Sequence, residues 1–141
     1  IFKINSIQNL RYYQKSEQRG RLHIMGNVFI NFTNHPSKFW KDSQKAEALK
    51  HGRIVDVEFP AVDPEGNRDY IIRLAEENVK RILEFHPSVV LCQGEFCLAY
   101  HVITRLKEKG IPIVAACSER MVREEGDVKE VIFEFRQFRE Y

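Results

Sequence analysis

Long apolar runs are missing from these 141 residues, and none approaches the roughly 18 residues that a membrane-spanning helix requires. No charged start followed by an apolar stretch resembles a secretion signal. The chain is therefore expected in the cytoplasm, with no membrane partner. Cysteine is scarce as well. Cys92, Cys97 and Cys117 are odd in number and form no CxxC pair, which argues against a disulfide frame and for reduced core residues. No GxGxxG follows the first apolar segment and no GxxxxGK occurs, so the usual dinucleotide and triphosphate loops are excluded. His23, His51, His86 and His101 fall at no HExxH or His/Cys spacing, so neither a metal nor a cofactor is expected. Ser37 and Ser118 lack a nucleophile-elbow sequence, which weakens an acyl-transfer reading.

Excess charge is also absent from most of the chain. The formal net charge is +2, yet residues 1–24 alone carry five basic side chains against Glu17. The remainder is slightly acidic, which argues against general binding of duplex nucleic acid. Residues 1–24 also lack a clean hydrophobic period. They are expected to be a leader foreign to the fold, with Met25 as the natural start, or else a basic arm that orders on a partner. Residues 25–141 are read as one α/β domain, a length that can bury a sizeable core.

What is present alternates. "NVFINFT" (27–33) has the β-branched and aromatic density of a buried strand and stops at the turn cluster "NHPS". A helix capped by Asp42 or Ser43 follows, with Ala46, Leu49 and the stem of Lys50 as its apolar face and Gly52 at its end. "RIVDVEFP" is the second strand. A helix over residues 67–85 places Ile71, Leu74, Ala75, Val79, Ile82 and Leu83 at helical spacing. "SVVLCQG" reads as a third strand covered on both faces. The next helix, Phe96 to Lys109, turns Phe96, Ala99, Val102, Ile103 and Leu106 toward the sheet. "IPIVAACSE" is the fourth strand, and "RMVREEGDVKEVIFEFRQF" a hairpin turning at "EEGD". The pattern implies a Rossmann-like, mostly parallel sheet with flanking helices and a C-terminal antiparallel β-hairpin.

Such sheets bind ligands outside the carboxyl ends of their strands. The first strand carries Asn31 and ends in Thr33, Asn34, His35 and Ser37; the third ends in Gln93, Gly94 and Glu95; the fourth in Ser118, Glu119 and Arg120. The second ends in apolar Phe59 and Pro60. Amide, hydroxyl, imidazole and guanidinium groups with one or two carboxylates suit a nucleotide or a phosphodiester. Each also has a plainer role: Glu95 as a favourable first-turn carboxylate, His35 as a turn residue, Ser118 to Arg120 as an exposed strand exit.

"INFTNHPS", "VLCQGEFCLAYHVITRLKEKGIPIVAACSER" and the terminal "FEFRQFREY" together resemble small stand-alone proteins encoded beside CRISPR systems, related to cyclic-nucleotide-sensing CARF domains. The resemblance covers residues 25–141. It implies antiviral defence, a homodimer, and a cyclic oligoadenylate ligand that some such proteins, the ring nucleases, cleave without metal. On that reading His35 serves as acid or base, Arg120 pairs with phosphate, and Asn34, Ser37, Gln93 and Ser118 orient ribose, base or phosphate. Glu95 fits less easily near phosphate. A glutamate just beyond such a strand also resembles the nucleophile of nucleoside deoxyribosyltransferases. A third expectation is a nucleotide sensor or partner-binding module that does no chemistry.

Overall fold

The computed structural model describes residues 26–141, so the expectations for residues 1–24 lie outside the described residues. Nine segments follow in order: β1 (Val28–Phe32), a 3-10 turn (Ser37–Phe39), α1 (Asp42–Leu49), β2 (Arg53–Asp56), α2 (Arg68–Leu83), β3 (Val89–Cys92), α3 (Phe96–Glu108), β4 (Ile113–Glu125) and β5 (Val128–Glu140). The strands form one mixed sheet in the order β2-β1-β3-β4-β5. β1 pairs in parallel with β2 and β3, β3 in parallel with β4, and β4 antiparallel with β5. The described residues form an α/β fold with a mixed five-stranded sheet and three α-helices.

Burial explains the centre. Every residue of β1 and of β3 is buried, as central strands covered on both faces must be. One face packs Val28, Ile30, Phe32, Val90 and Cys92 against Ala75, Val79 and Ile82 of α2 and Leu98, Val102 and Leu106 of α3. The other is smaller. It gathers Phe29, Leu91 and Val114 with Trp40, Ala48 of α1 and Phe138 of β5, and Phe29 meets Phe138 at 5.1 Å and Trp40 edge-on at 6.3 Å between ring centroids.

Several local expectations are corrected. Lys41, not Asp42 or Ser43, is the α1 N-cap, and it makes no side-chain cap bond. The inner face of α1 is Gln44 and Ala48, one turn apart; Ala46 is exposed and Leu49 is 58% exposed. So short and weakly apolar a helix is oriented by its neighbours rather than by its own pattern. β2 ends at Asp56, although Val57 and Phe59 still donate backbone bonds to Asn31 and Thr33 of the β1 segment. Phe96 does not face the sheet. It is the first residue of α3, beyond the rim, and is 89% exposed, while Leu98 takes the inward place. Cys92 is buried as expected, but Cys97 is exposed and Cys117 half-buried.

β4 and β5 continue far beyond the parallel strands. β4 pairs with β3 only at Ile113 and Val114, whereas its pairing with β5 runs on to Glu125 and Val128. A bulge lies at Cys117/Ser118, where Arg136 is the extra residue between Gln137 and Phe135. Gly126 opens the two-residue turn at φ 61°, a conformation glycine adopts without strain. Residues 118–135 thus form a two-stranded ribbon that leaves the body at the carboxyl rim.

Candidate functional site

The rim is organised by a residue that the sequence reading passed over. Asp56, the last residue of β2, accepts from Asn31 Nδ2 at 2.8 Å and from both the backbone N–H and the hydroxyl of Ser37, at 3.2 and 3.0 Å. Buried Asn31 is the hub. Its Nδ2 also donates to the His35 carbonyl at 2.9 Å, and its Oδ1 accepts from Thr33 Oγ1 at 2.8 Å. The His35 carbonyl takes a further bond from Trp40 Nε1 at 3.1 Å, and the His35 N–H donates to Thr33 Oγ1 at 3.1 Å. Backbone at the β1 exit is therefore fixed by side chains, while the His35 side chain itself is exposed. The polar groups of Asn31, Thr33 and Ser37, expected on a ligand, are spent on this scaffold.

Gln93 performs a similar task for β4. β3 has stopped pairing by this point, and the Gln93 Oε1 accepts the Ala116 N–H at 3.0 Å in place of a backbone carbonyl. That leaves its Nε2 to donate outward. Gly94 lies over the Phe59 ring, and a Cβ there would come within about 2.5 Å of three ring carbons, so close approach explains the glycine.

Glu95 is the N-cap of α3. Its two carboxylate oxygens accept the N–H groups of Cys97 at 3.0 Å and Leu98 at 2.7 Å. The Leu98 bond is the main reason that the carboxyl pKa lies below the ordinary glutamate value. The anion at this helix terminus is the protein's own side chain.

Between the β1 exit, α1 and the root of the ribbon lies a cavity of about 500 Å³. Thr33, His35, Gln93 and Ser118 line it, so residues from three strand ends meet there. Trp40, Leu91 and Phe135 form apolar wall, and Phe39 and Phe133 stand at its edge, 75% and 60% exposed. Ala116, Lys41 and Gln44 complete it; Lys41 Nζ reaches across to the Phe133 carbonyl at 3.3 Å. Lys38 sits 4.9 Å from the Phe39 ring centroid. No Asp or Glu lines the cavity. Arg120 lies directly opposite Phe133 in the β4–β5 register, on the ribbon face shared with Ser118, one step farther from the body.

Asn31, Asn34, Ser37, Gly94, Glu95, Glu119 and Arg120 do not line this cavity. Alternation sends Glu119 to the opposite ribbon face, where Arg136 pairs with it and with Glu134 at 3.3 Å. Missed by the sequence reading were Asp56, Trp40, Lys41, Gln44, Phe39 and, as site residues, Phe133 and Phe135. The "SKFWK" aromatic-basic cluster after the first strand was the available signal. A wider groove of about 890 Å³ runs between α2 and α3, but Glu76, Glu84 and Glu108 alternate there with Lys80, Arg105 and Lys109 and none of the strand-end groups reaches it. Among the described residues, no cluster of three His, Cys, Asp or Glu side chains is arranged to hold a metal ion, and no helix is long and apolar enough to cross a membrane.

The uncharacterized protein MJ1673 family has a model that matches residues 27–139. The chain belongs to that family. The match runs from the residue before β1 nearly to the end of β5, so the cavity and the ribbon both lie inside the MJ1673 unit. No curated protein matches the chain.

Proposed function

We propose that this MJ1673-family chain is a Rossmann-like nucleotide-binding protein of the cytoplasm, acting as a homodimer in which each cavity receives one nucleotide unit of a cyclic oligonucleotide. The observation that carries this reading is the cavity's composition: exposed aromatic rings, outward donors and no carboxylate. Aromatic faces suit a nucleobase, for which stacking contributes roughly 1–3 kcal/mol per base. Lys41, the Gln93 amide and the Ser118 hydroxyl suit phosphate and ribose oxygens. A space of this size matches one nucleotide, and a larger ring requires two copies related by twofold symmetry.

His35 supplies the chemical step in the same reading, which follows the CRISPR-associated ring-nuclease resemblance. A ribose 2′-oxygen attacks the adjacent phosphorus, the P–O5′ bond breaks, and a cyclic 2′,3′-phosphate and a 5′-hydroxyl result. The imidazole takes the 2′ proton or gives one to the leaving oxygen, and Arg120 on the ribbon stabilises the phosphate charge. Asn31 and Asp56 are positioning groups, since they hold the backbone that carries His35. The transferase alternative is disfavoured by Glu95, whose two oxygens are engaged by its own helix and which lies outside the cavity.

Trp40 is the single tryptophan and lines the cavity, so its fluorescence reports occupancy. Titration with cyclic tetra- and hexa-adenylate without added metal is expected to quench it saturably. His35→Ala is expected to lower cleavage by roughly 100- to 10,000-fold with little change in affinity. Saturable quenching without turnover supports the sensor alternative, and absence of both sinks the nucleotide reading.

A further inference from the structure

The ribbon is under-supported by its own chain. No residue from Ser118 to Phe135 is buried, and an isolated two-stranded ribbon is marginal in water. Val122 and Val131 occupy the face that continues from the cavity wall, and they are 47% and 44% exposed. The opposite face and the turn are acidic: Glu119, Glu125, Asp127, Glu130 and Glu134 stand there against Arg123 and Arg136, whereas the Val122/Val131 face carries Glu124 with Arg120 and Lys129. The surface of α1 and its flanks is the reverse. Lys38, Lys41, Lys45, Lys50 and Arg53 stand there against Asp42 and Glu47, around the exposed side chains of Phe39 and Leu49.

We infer that the ribbon docks on the α1 surface of a second copy of this chain, in a reciprocal, twofold exchange. The inference rests on the homodimer proposed above and names its surface. The opposed charges commit the occupant and the side of the ribbon that meets it, because an acidic ribbon face with its turn and a basic α1 surface occur on the same molecule. The dimensions agree: eight residues beyond Cys117 reach roughly 25 Å at strand rise, enough to cross an eight-residue helix of roughly 12 Å. Continuity agrees too. Phe39, Lys41 and Gln44 belong both to the cavity and to the α1 surface, so the partner's ribbon would lie across the cavity mouth. A twofold axis makes both contacts at once, as an isologous interface must.

Charge reversal tests the pairing in the full-length chain. Wild type is expected to sediment as a dimer at micromolar concentration. E125K/D127K on the ribbon, or K45E/K50E on α1, is expected to weaken dimerisation by about 100-fold, the scale of like charges juxtaposed across an interface. All four positions are exposed or half-exposed, and none lines the cavity. An equimolar mixture of the two double variants is expected to recover dimer, and so is the quadruple variant. A wild-type monomer, a dimer indifferent to both reversals, or a failure of the mixture to recover overturns the inference; a wild-type monomer also removes the homodimer. Trp40 quenching by cyclic tetra-adenylate on the same samples keeps the two readings apart. Quenching with no exchange sinks the interface alone, whereas charge-dependent dimers without quenching sink the nucleotide reading alone.

Discussion

Strands β4 and β5 run through both the body of the molecule and its ribbon, and different physics holds them in the two regions. Within the body, Ile113 and Val114 of β4 are buried, whereas after the bulge at Cys117/Ser118 the same strand has no buried residue. The body is held by apolar burial on both sheet faces, and the ribbon by register, a glycine turn and surface ion pairs such as Arg136 with Glu119 and Glu134. Surface pairs contribute little on their own. Aromatic side chains therefore mean different things in the two regions: Phe29 is buried in the fold, while Phe133 is left exposed at the cavity edge. Substitutions can test that contrast.

The largest effect is expected at Phe29, fully buried between Trp40 and Phe138. Phe29→Ala is expected to lose roughly 3–5 kcal/mol of unfolding free energy by urea titration, the range for emptying a buried aromatic site. A loss below about 1 kcal/mol would show that the smaller face of the sheet is not a real core. Next comes Asp56→Ala. It removes one acceptor from buried Asn31 and frees Ser37, and a loss of roughly 1–3 kcal/mol is expected. Because the same network holds the His35 carbonyl through Asn31, ligand affinity should fall with it; stable protein with unchanged affinity would show that the scaffold does not serve the cavity.

How much of this could be read beforehand follows the same division. β1 and β3 were legible because a strand buried on both faces leaves a nearly unbroken apolar run, and the strand-end rule then brought Thr33, His35, Gln93 and Ser118 together. Asp56 was not legible. It sits inside "RIVDVEFP", and only the early end of β2 turns a strand-interior carboxylate into a rim residue. The role of Glu95 was half visible: its place at a helix start is local, but the folding back of its carboxylate onto Cys97 and Leu98 is a matter of backbone geometry. Phe96 and Leu98 could not be told apart by period, since the distinction depends on where the sheet ends. The ribbon's projection was hidden for a long-range reason. It follows from β3 being only four residues long beside a β4 of thirteen.

Glu95 gives a smaller, pH-dependent effect. Its folded-state pKa is lowered, chiefly by the Leu98 N–H. Stability from the cap is therefore fully present above the ordinary glutamate range and is lost as pH falls through the lower folded value. Glu95→Ala is expected to cost roughly 0.5–2 kcal/mol at pH 7. Urea titrations across pH should show the gap to wild type narrowing in acid. A gap independent of pH would mean that the carboxylate charge is not what caps α3.

The smallest effect on stability, and the sharpest test of the contrast, is expected at Phe133. The ring is 60% exposed on the ribbon and stands at the cavity edge, where its backbone carbonyl already receives Lys41. Removing an exposed side chain changes unfolding free energy by less than about 0.5 kcal/mol, so Phe133→Ala should unfold with wild-type protein. A nucleobase stacked on it would lose roughly 1–3 kcal/mol, which is about 5- to 150-fold in affinity. Trp40 titration measures the affinity and urea the stability, on one preparation. If affinity falls while stability holds, the ribbon root is a binding surface supported by the body. If stability falls and affinity holds, Phe133 belongs to the core after all, and the division between body and ribbon must be moved outward along β5.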